Sequence, residues 1–185
     1  MKNTLLFFLI FITVFSCKTD SFLGTEKYFK TDKEIYEIGD NFELTVFITS
    51  EKEEKTIRFY KTFSNLRIHI TLINSQKGIR SENALQLKKH FIEGGSIFRS
   101  DEKYITDHKI SKNEPFNKIF KGKMYEVNNK IIIEIPELKV KNSFYKSEFD
   151  EFSEISIQGY CNPINARNGE SKSYFHPKNV KLVLE

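Results

Sequence analysis

The sequence predicts an all-β fold, an antiparallel two-sheet sandwich, on the basis of two patterns in the chain. Apolar and polar residues alternate in most segments beyond residue 30, which is typical of strands with one buried and one solvated face. Long helical segments between these strands are lacking, so the strands are expected to pair antiparallel. Seven to nine strands in one domain favour two packed sheets.

Eight candidate strands follow from the alternation. In chain order they are Glu34–Ile38, Asn41–Ser50, Thr56–Tyr60, Leu66–Leu72, Tyr104–Ile110, Ile131–Ile135, Ile155–Ile157 and Val180–Leu184. The pattern is clearest in the second, where Phe42 and Leu44 point one way while Glu43 and Thr45 point the other.

One segment has a mixed periodicity. Ser81 is suited to cap a short helix over residues 82–92, which Gly94 would end. Leu85 and Leu87 in the same segment also fit a strand. Both interpretations stay open at the level of sequence.

The amino terminus has the pattern of a secretory signal. Lys2 supplies one positive charge, and Leu5–Phe15 is apolar except for Thr13. A membrane-spanning helix needs about 20 apolar residues, and this run ends sooner, at Ser16. We therefore expect the chain to be exported.

The end of the apolar run resembles the lipobox of bacterial lipoproteins. It reads Val14-Phe15-Ser16-Cys17, in which Ser16 and Cys17 match the motif. Val14 stands where leucine is usual, and Phe15 is bulkier than the usual small residue. The resemblance implies cleavage before Cys17 and lipidation of that cysteine with two or three acyl chains, a stable anchor. Ordinary secretion with cleavage nearby is the alternative.

This interpretation divides the chain into a signal peptide (1–16), a lipidated cysteine with a short tether (17–25) and a single β-sandwich domain (26–185). Cleavage leaves 169 of the 185 residues and removes Lys2, so the net charge falls from +4 to about +3. That length suits one domain with a proper core. With lipid on Cys17, the second cysteine, Cys161, is left as a single thiol and is expected to be buried.

The segment Thr31–Ile48, TDKEIYEIGDNFELTVFI, resembles the opening of immunoglobulin-like modules in bacterial envelope proteins and in macroglobulin domains. Tyr36 and Gly39-Asp40 match that opening, and Gly39 suits a tight turn that needs a positive φ. Glu34 and Ile38 replace prolines of the macroglobulin version, and no thioester motif is present. The resemblance implies an immunoglobulin-like architecture and no particular activity.

Residue spacing argues against the common catalytic and metal sites. The four histidines, His69, His90, His108 and His176, do not have the spacing of a zinc site, and no nucleophile elbow, phosphate loop or dinucleotide fingerprint is present. Basic clusters are interrupted by apolar or acidic residues, unlike a nucleic-acid surface. We expect no enzyme activity, no metal or other cofactor and no nucleic-acid partner.

Aromatic residues in KNSFYKSEFDEF form the candidate binding surface. They are Phe144, Tyr145, Phe149 and Phe152. Aromatic side chains interleaved with charges on a loop can bind a protein or a glycan. The alternative is that they fold back and cover an open end of the sandwich.

The function that these features favour is that of a monomeric, non-catalytic protein-binding module, anchored to a membrane of the cell envelope through lipid on Cys17. We expect the outer membrane and a protein partner at the envelope. One alternative is an immunity-type lipoprotein that neutralises a toxin, and another is an envelope enzyme.

Overall fold

The computed structural model describes residue 22 and residues 24–81, 102–162, 164 and 172–184, which form thirteen strands. The strands are β1 (Glu26–Thr31), β2 (Ile35–Glu37), β3 (Asn41–Thr49), β4 (Lys55–Tyr60), β5 (Leu66–Asn74), β6 (Ile79–Arg80), β7 (Ile105–Ile110), β8 (Phe116–Val127), β9 (Lys130–Ile135), β10 (Val140–Tyr145), β11 (Glu154–Cys161), β12 (Ser173–Tyr174) and β13 (Lys178–Val183). Short 3-10 turns occupy Glu102–Tyr104, Pro136–Leu138 and Lys146–Asp150. Neither the candidate helix at 82–92 nor the signal segment falls within the described residues.

The strands form two main sheets packed as a sandwich, which confirms the predicted fold class. One sheet has the order β1-β3-β8-β9-β10, and the other has the order β2-β13-β11-β5-β6, with β12 beside β11. A third, two-stranded sheet of β4 and β7 packs Ile57, Phe59 and Ile110 into the same core. Within the described ranges, no helix is both long and apolar enough to cross a bilayer.

The core consists of the inward-facing rows of both sheets. Leu44, Val46 and Phe120 from the first sheet and Ile70 and Ile157 from the second are at most 2% exposed. Each such side chain stabilises the fold by roughly 1.5–3 kcal/mol relative to its exposed state. The alternation seen in the sequence therefore corresponds to burial, and β3 shows it along most of its length.

The predicted strand set omitted β1, β6, β8, β10 and β12, and β8, with twelve residues, is the longest of the described strands. Its inward positions include Lys118 and Gly122, which break the apolar alternation. Gly122 sits there because the ring of Phe42 occupies the space of a side chain: an added Cβ would lie 2.2 Å from Cζ of that ring. Because Gly122 is set by a contact with a distant strand, the apolar alternation is broken and does not identify β8 as a strand.

The chain crosses from one sheet to the other between β1 and β2. Tyr36 is 1% exposed and its hydroxyl donates to Asp32 Oδ1 at 2.7 Å, while the same oxygen accepts the Glu43 N–H at 2.7 Å. Burial, followed by this bond to Asp32, raises the pKa of Tyr36 to about 12. Gly39 has a φ of +101°, as the predicted turn requires. The crossover brings β2 alongside β13 in parallel, the one named strand pair that departs from the antiparallel prediction.

The chain already contacts the sandwich before residue 26, the predicted start of the domain. Phe22 is 4% exposed, and its ring meets Phe59 edge-on at 5.8 Å. Lys27 Nζ, also buried, donates to the carbonyl oxygens of Phe22 (3.2 Å) and Thr25 (2.8 Å). These bonds hold the chain against the sandwich at Phe22 because a buried ammonium must satisfy its donors.

Candidate functional site

The predicted four-residue aromatic surface is not a surface, because Phe144 and Phe149 are buried. Phe144 is 2% exposed and Phe149 is 9% exposed, and their rings meet edge-on at 6.3 Å. Phe152 is partly buried and packs on the core. Tyr145 is the one member that is exposed, at 53%. The alternative interpretation, in which these aromatic residues close an end of the sandwich, describes the other three.

Strand geometry explains this correction. Phe144 and Tyr145 are consecutive residues of β10, so they point to opposite faces of the sheet. The 3-10 turn Lys146–Asp150 then folds Phe149 back towards the core. The Glu148 carboxylate holds this turn, accepting the Tyr145 N–H at 2.8 Å and the Ser81 hydroxyl at 2.9 Å.

The second cysteine is buried, as predicted, and lies near a buried lysine. Cys161 is 0% exposed at the end of β11. Burial lowers the pKa of Lys27, and its Coulombic interaction with Cys161 opposes that shift. Cys17, the predicted lipidation site, lies outside the described residues.

We expect Cys161 to react slowly with a thiol reagent in the native protein and rapidly after addition of denaturant. The reason is that reagent must reach a sulfur that the core covers completely. In the Cys17→Ala variant, Cys161 is the one cysteine of the chain. Its reaction with an aromatic disulfide reagent can therefore be followed by absorbance without a signal from a second thiol. Fast labelling without denaturant would contradict the burial.

Two histidines are half-buried within the described part of the chain. Burial is the main cause that lowers the pKa of both His69 and His108. No three His, Cys, Asp or Glu side chains in the described ranges converge as metal ligands would.

An open aromatic cleft of about 530 Å³ lies between β7 and the start of β8. The Phe116 ring forms part of its lining and contacts His108 edge-on at 4.8 Å. Phe63 also lines it and has a φ of +54°, an uncommon conformation for a bulky residue. Lys118 Nζ lies 5.6 Å from the centre of the Phe63 ring. The cleft can receive apolar side chains, with cations at its rim.

A second, narrower groove of about 80 Å³ lies between β5 and β10. Its lining residues are Leu66, Arg67, Ile68, His69, Leu138, Lys139, Val140 and Lys141. Three of them, Arg67, Lys139 and Lys141, carry a positive charge, and none is acidic. The groove can therefore attract an anionic group.

This groove was not predicted from the sequence. Arg67 and His69 are separated from Lys139 and Lys141 by about seventy residues, and the contact of β5 with β10 brings them together. The only signal in the sequence is that Arg67 and His69 occupy the polar face of their strand.

The chain was compared with known protein families, curated proteins and solved structures, and none matches. Its function is therefore inferred from its own residues.

Proposed function

We propose that this chain is a membrane-anchored envelope lipoprotein whose β-sandwich is a non-catalytic protein-binding module. The observation that carries the proposal is the burial of Phe22 in the core. If lipid is attached to Cys17, the five residue steps from Cys17 to Phe22 span at most about 18 Å. The domain is then held at the membrane surface, and its partner is a protein of the envelope or one that arrives there.

The short tether also orients the domain. Phe22 packs on Phe59, which stacks on Phe116 at 5.0 Å, so this end of the sandwich faces the lipid. β8 starts at Phe116 and runs twelve residues to Val127, which is about 36 Å at the usual rise per residue. The exposed Val127 and Tyr145 are thus at the far end. We expect the anchored protein to be monomeric and to reside in the outer membrane.

The anchor is tested by Cys17→Ala in the full-length chain. We expect the variant to incorporate no labelled fatty acid and to accumulate as uncleaved or mis-cleaved precursor, because the thiol that accepts lipid is missing. Cys161→Ala is the matched control and should label like the unmodified chain, since Cys161 is enclosed by the core. Equal labelling of the two variants would refute the lipoprotein assignment.

Binding is tested separately, by crosslinking in intact cells with the full-length lipidated protein. We expect a defined envelope protein to be captured in proportion to the amount of anchored protein. The control is an unrelated lipoprotein with the same signal segment. If both proteins capture the same set, the domain does not act as a binding module.

A further inference from the structure

We infer that the groove between β5 and β10 binds an extended acidic segment of a partner protein, which adds as a short strand to the edge of β5. This inference rests on the proposed function and names the kind of partner segment that the domain recognises. Three features carry it: the direction of the β5 backbone groups, the interrupted pairing beside the groove, and the charge of the groove walls.

The backbone of Ile68 faces the groove. In an antiparallel pair, residues alternate between those that bond to their neighbour and those whose N–H and C=O point away from it. The Gly159 carbonyl oxygen accepts the Phe175 N–H at 2.9 Å, on the side of β11 away from β5. Its partner in the register, Ile68, therefore directs its own N–H and C=O away from β11. Ile68 also lines the groove.

Pairing on this side of β5 is made by isolated bonds and is incomplete. The Ile70 carbonyl oxygen accepts Asn142 Nδ2 at 3.3 Å, and the Leu72 carbonyl oxygen accepts the Ser81 N–H at 2.8 Å. In the described part of the chain, β6 is the only strand on this side, and it pairs with the last two residues of β5 alone. Asn142 Oδ1 is buried and accepts no hydrogen bond. Such an edge is a template for an added strand.

The walls of the groove select an acidic strand. Arg67 and His69 lie on one wall and Lys139 and Lys141 on the other. Lys141 Nζ lies 3.6 Å from the Glu134 carboxylate, which Lys123 also binds, at 3.0 Å. The positive charge of the groove is therefore only partly balanced.

Neighbouring side chains extend this surface on the outer face of the second sheet. Tyr160 pairs in register with Arg67, its ring stacks on His69 at 5.7 Å, and Lys172 Nζ lies 4.6 Å from its centre. After burial, the charges of Arg67 and Lys172 further lower the pKa of His69, which is consistent with a positive potential here. Tyr174, 67% exposed beside Tyr160, offers an apolar contact.

The size of the groove favours a peptide strand over a compact small molecule. About 80 Å³ is well below the range of roughly 300–1,000 Å³ that small-molecule pockets occupy. An added strand needs only a spacing of about 4.8 Å from β5, and Ile68 is the position of β5 where its backbone can pair. Its N–H and C=O groups would pair with Ile68, and its acidic side chains would meet the basic walls.

The test measures binding of a fluorescent eight-residue peptide of alternating glutamate and threonine to the full-length chain in detergent. The variant is Arg67→Gln with Lys139→Asn; Lys139 has a φ of +54°, which asparagine tolerates. We expect the variant to bind about tenfold more weakly, because two charge pairs with the peptide are lost. Lys121→Gln, on the exposed face of β8, is the control and should bind like the unmodified chain. Equal melting curves establish that the variant is folded.

A second peptide, methylated at alternate backbone nitrogens, separates strand addition from charge attraction. We expect it to bind at least about tenfold more weakly than the parent peptide, since it cannot pair with Ile68. Equal binding of both peptides, displacement of the parent by millimolar inorganic phosphate, preference for an anionic polysaccharide, or no binding at all would each overturn the inference.

Crosslinking in cells distinguishes failure of this inference from failure of the proposed function. If the unmodified chain captures an envelope protein and the Arg67→Gln/Lys139→Asn variant captures it equally well, the groove is not the binding site although the module does bind. If the unmodified chain captures no protein, the proposed function fails and the inference fails with it.

Discussion

Replacement of Phe144 by alanine is expected to lower the free energy of unfolding by about 3–5 kcal/mol, the usual cost of removing a fully buried phenylalanine. The ring is 2% exposed, meets Phe149 edge-on and lies on the inward face of β10 opposite Ile131. Its removal leaves a cavity between the sheets that the surrounding backbone cannot close. Urea unfolding followed by far-ultraviolet circular dichroism measures the change.

Tyr145→Ala is the matched control for this experiment. Tyr145 is the next residue of the same strand, is 53% exposed and contacts Lys130 through its ring, with Nζ 4.7 Å from the ring centre. Loss of that contact should cost at most about 1 kcal/mol. A similar loss in both variants would contradict the assignment of Phe144 to the core, whereas the expected difference would confirm that burial alternates along β10.

Gly159→Ala is expected to destabilise the fold by about 3 kcal/mol, although alanine is the smallest change available. A Cβ at this position would lie 2.5 Å from the backbone carbonyl oxygen of Arg67 and 2.8 Å from Cζ of Phe29. Neither can yield easily, because Arg67 belongs to the paired strand β5 and the Phe29 ring stacks on Phe175 at 4.7 Å. Overpacking of this kind commonly costs 1–3 kcal/mol, and a clash with a backbone atom should lie at the upper end.

The control for this second prediction is Gly78→Asn in the turn after β5. Gly78 has a φ of +68° and no atom within 4 Å of an added Cβ, and asparagine tolerates that φ. The change in the free energy of unfolding should stay within about 1 kcal/mol. Thermal and urea unfolding of both variants measure the change in the free energy of unfolding. Gly159→Ala tests a close backbone approach, and Gly78→Asn tests a requirement for a positive φ. Equal effects would mean that the packing of β11 on β5 is looser than described.

Several features of the fold could be predicted because they depend on residues close in sequence. In β3, the side chains of residues i and i+2 lie on the same face because the chain is extended. The apolar residues Phe42, Leu44 and Val46 therefore identify the buried face from sequence alone. The turn at Gly39 was predictable for the same reason, since its positive φ is a local requirement.

Other features depend on residues far apart in sequence, and local patterns carry no trace of them. Gly122 is required in β8 because the Phe42 ring, eighty positions earlier, fills its place. Phe149 is covered because a turn bonded to Ser81 folds it back. The groove is basic because β5 meets β10 there, which neither strand indicates alone.

The sequence by itself determined that this protein is built from strands and which side chains of β3, β5 and β11 face inward, because strand periodicity is encoded residue by residue. Only the tertiary structure decided which aromatic side chains are buried, where the folded domain begins and which charges converge. The burial of these aromatic side chains and the convergence of these charges result from contacts between segments that are distant in sequence. Phe22 shows the difference: nothing in its neighbours marks it as core, yet it is buried because Phe59 lies beside it in the fold.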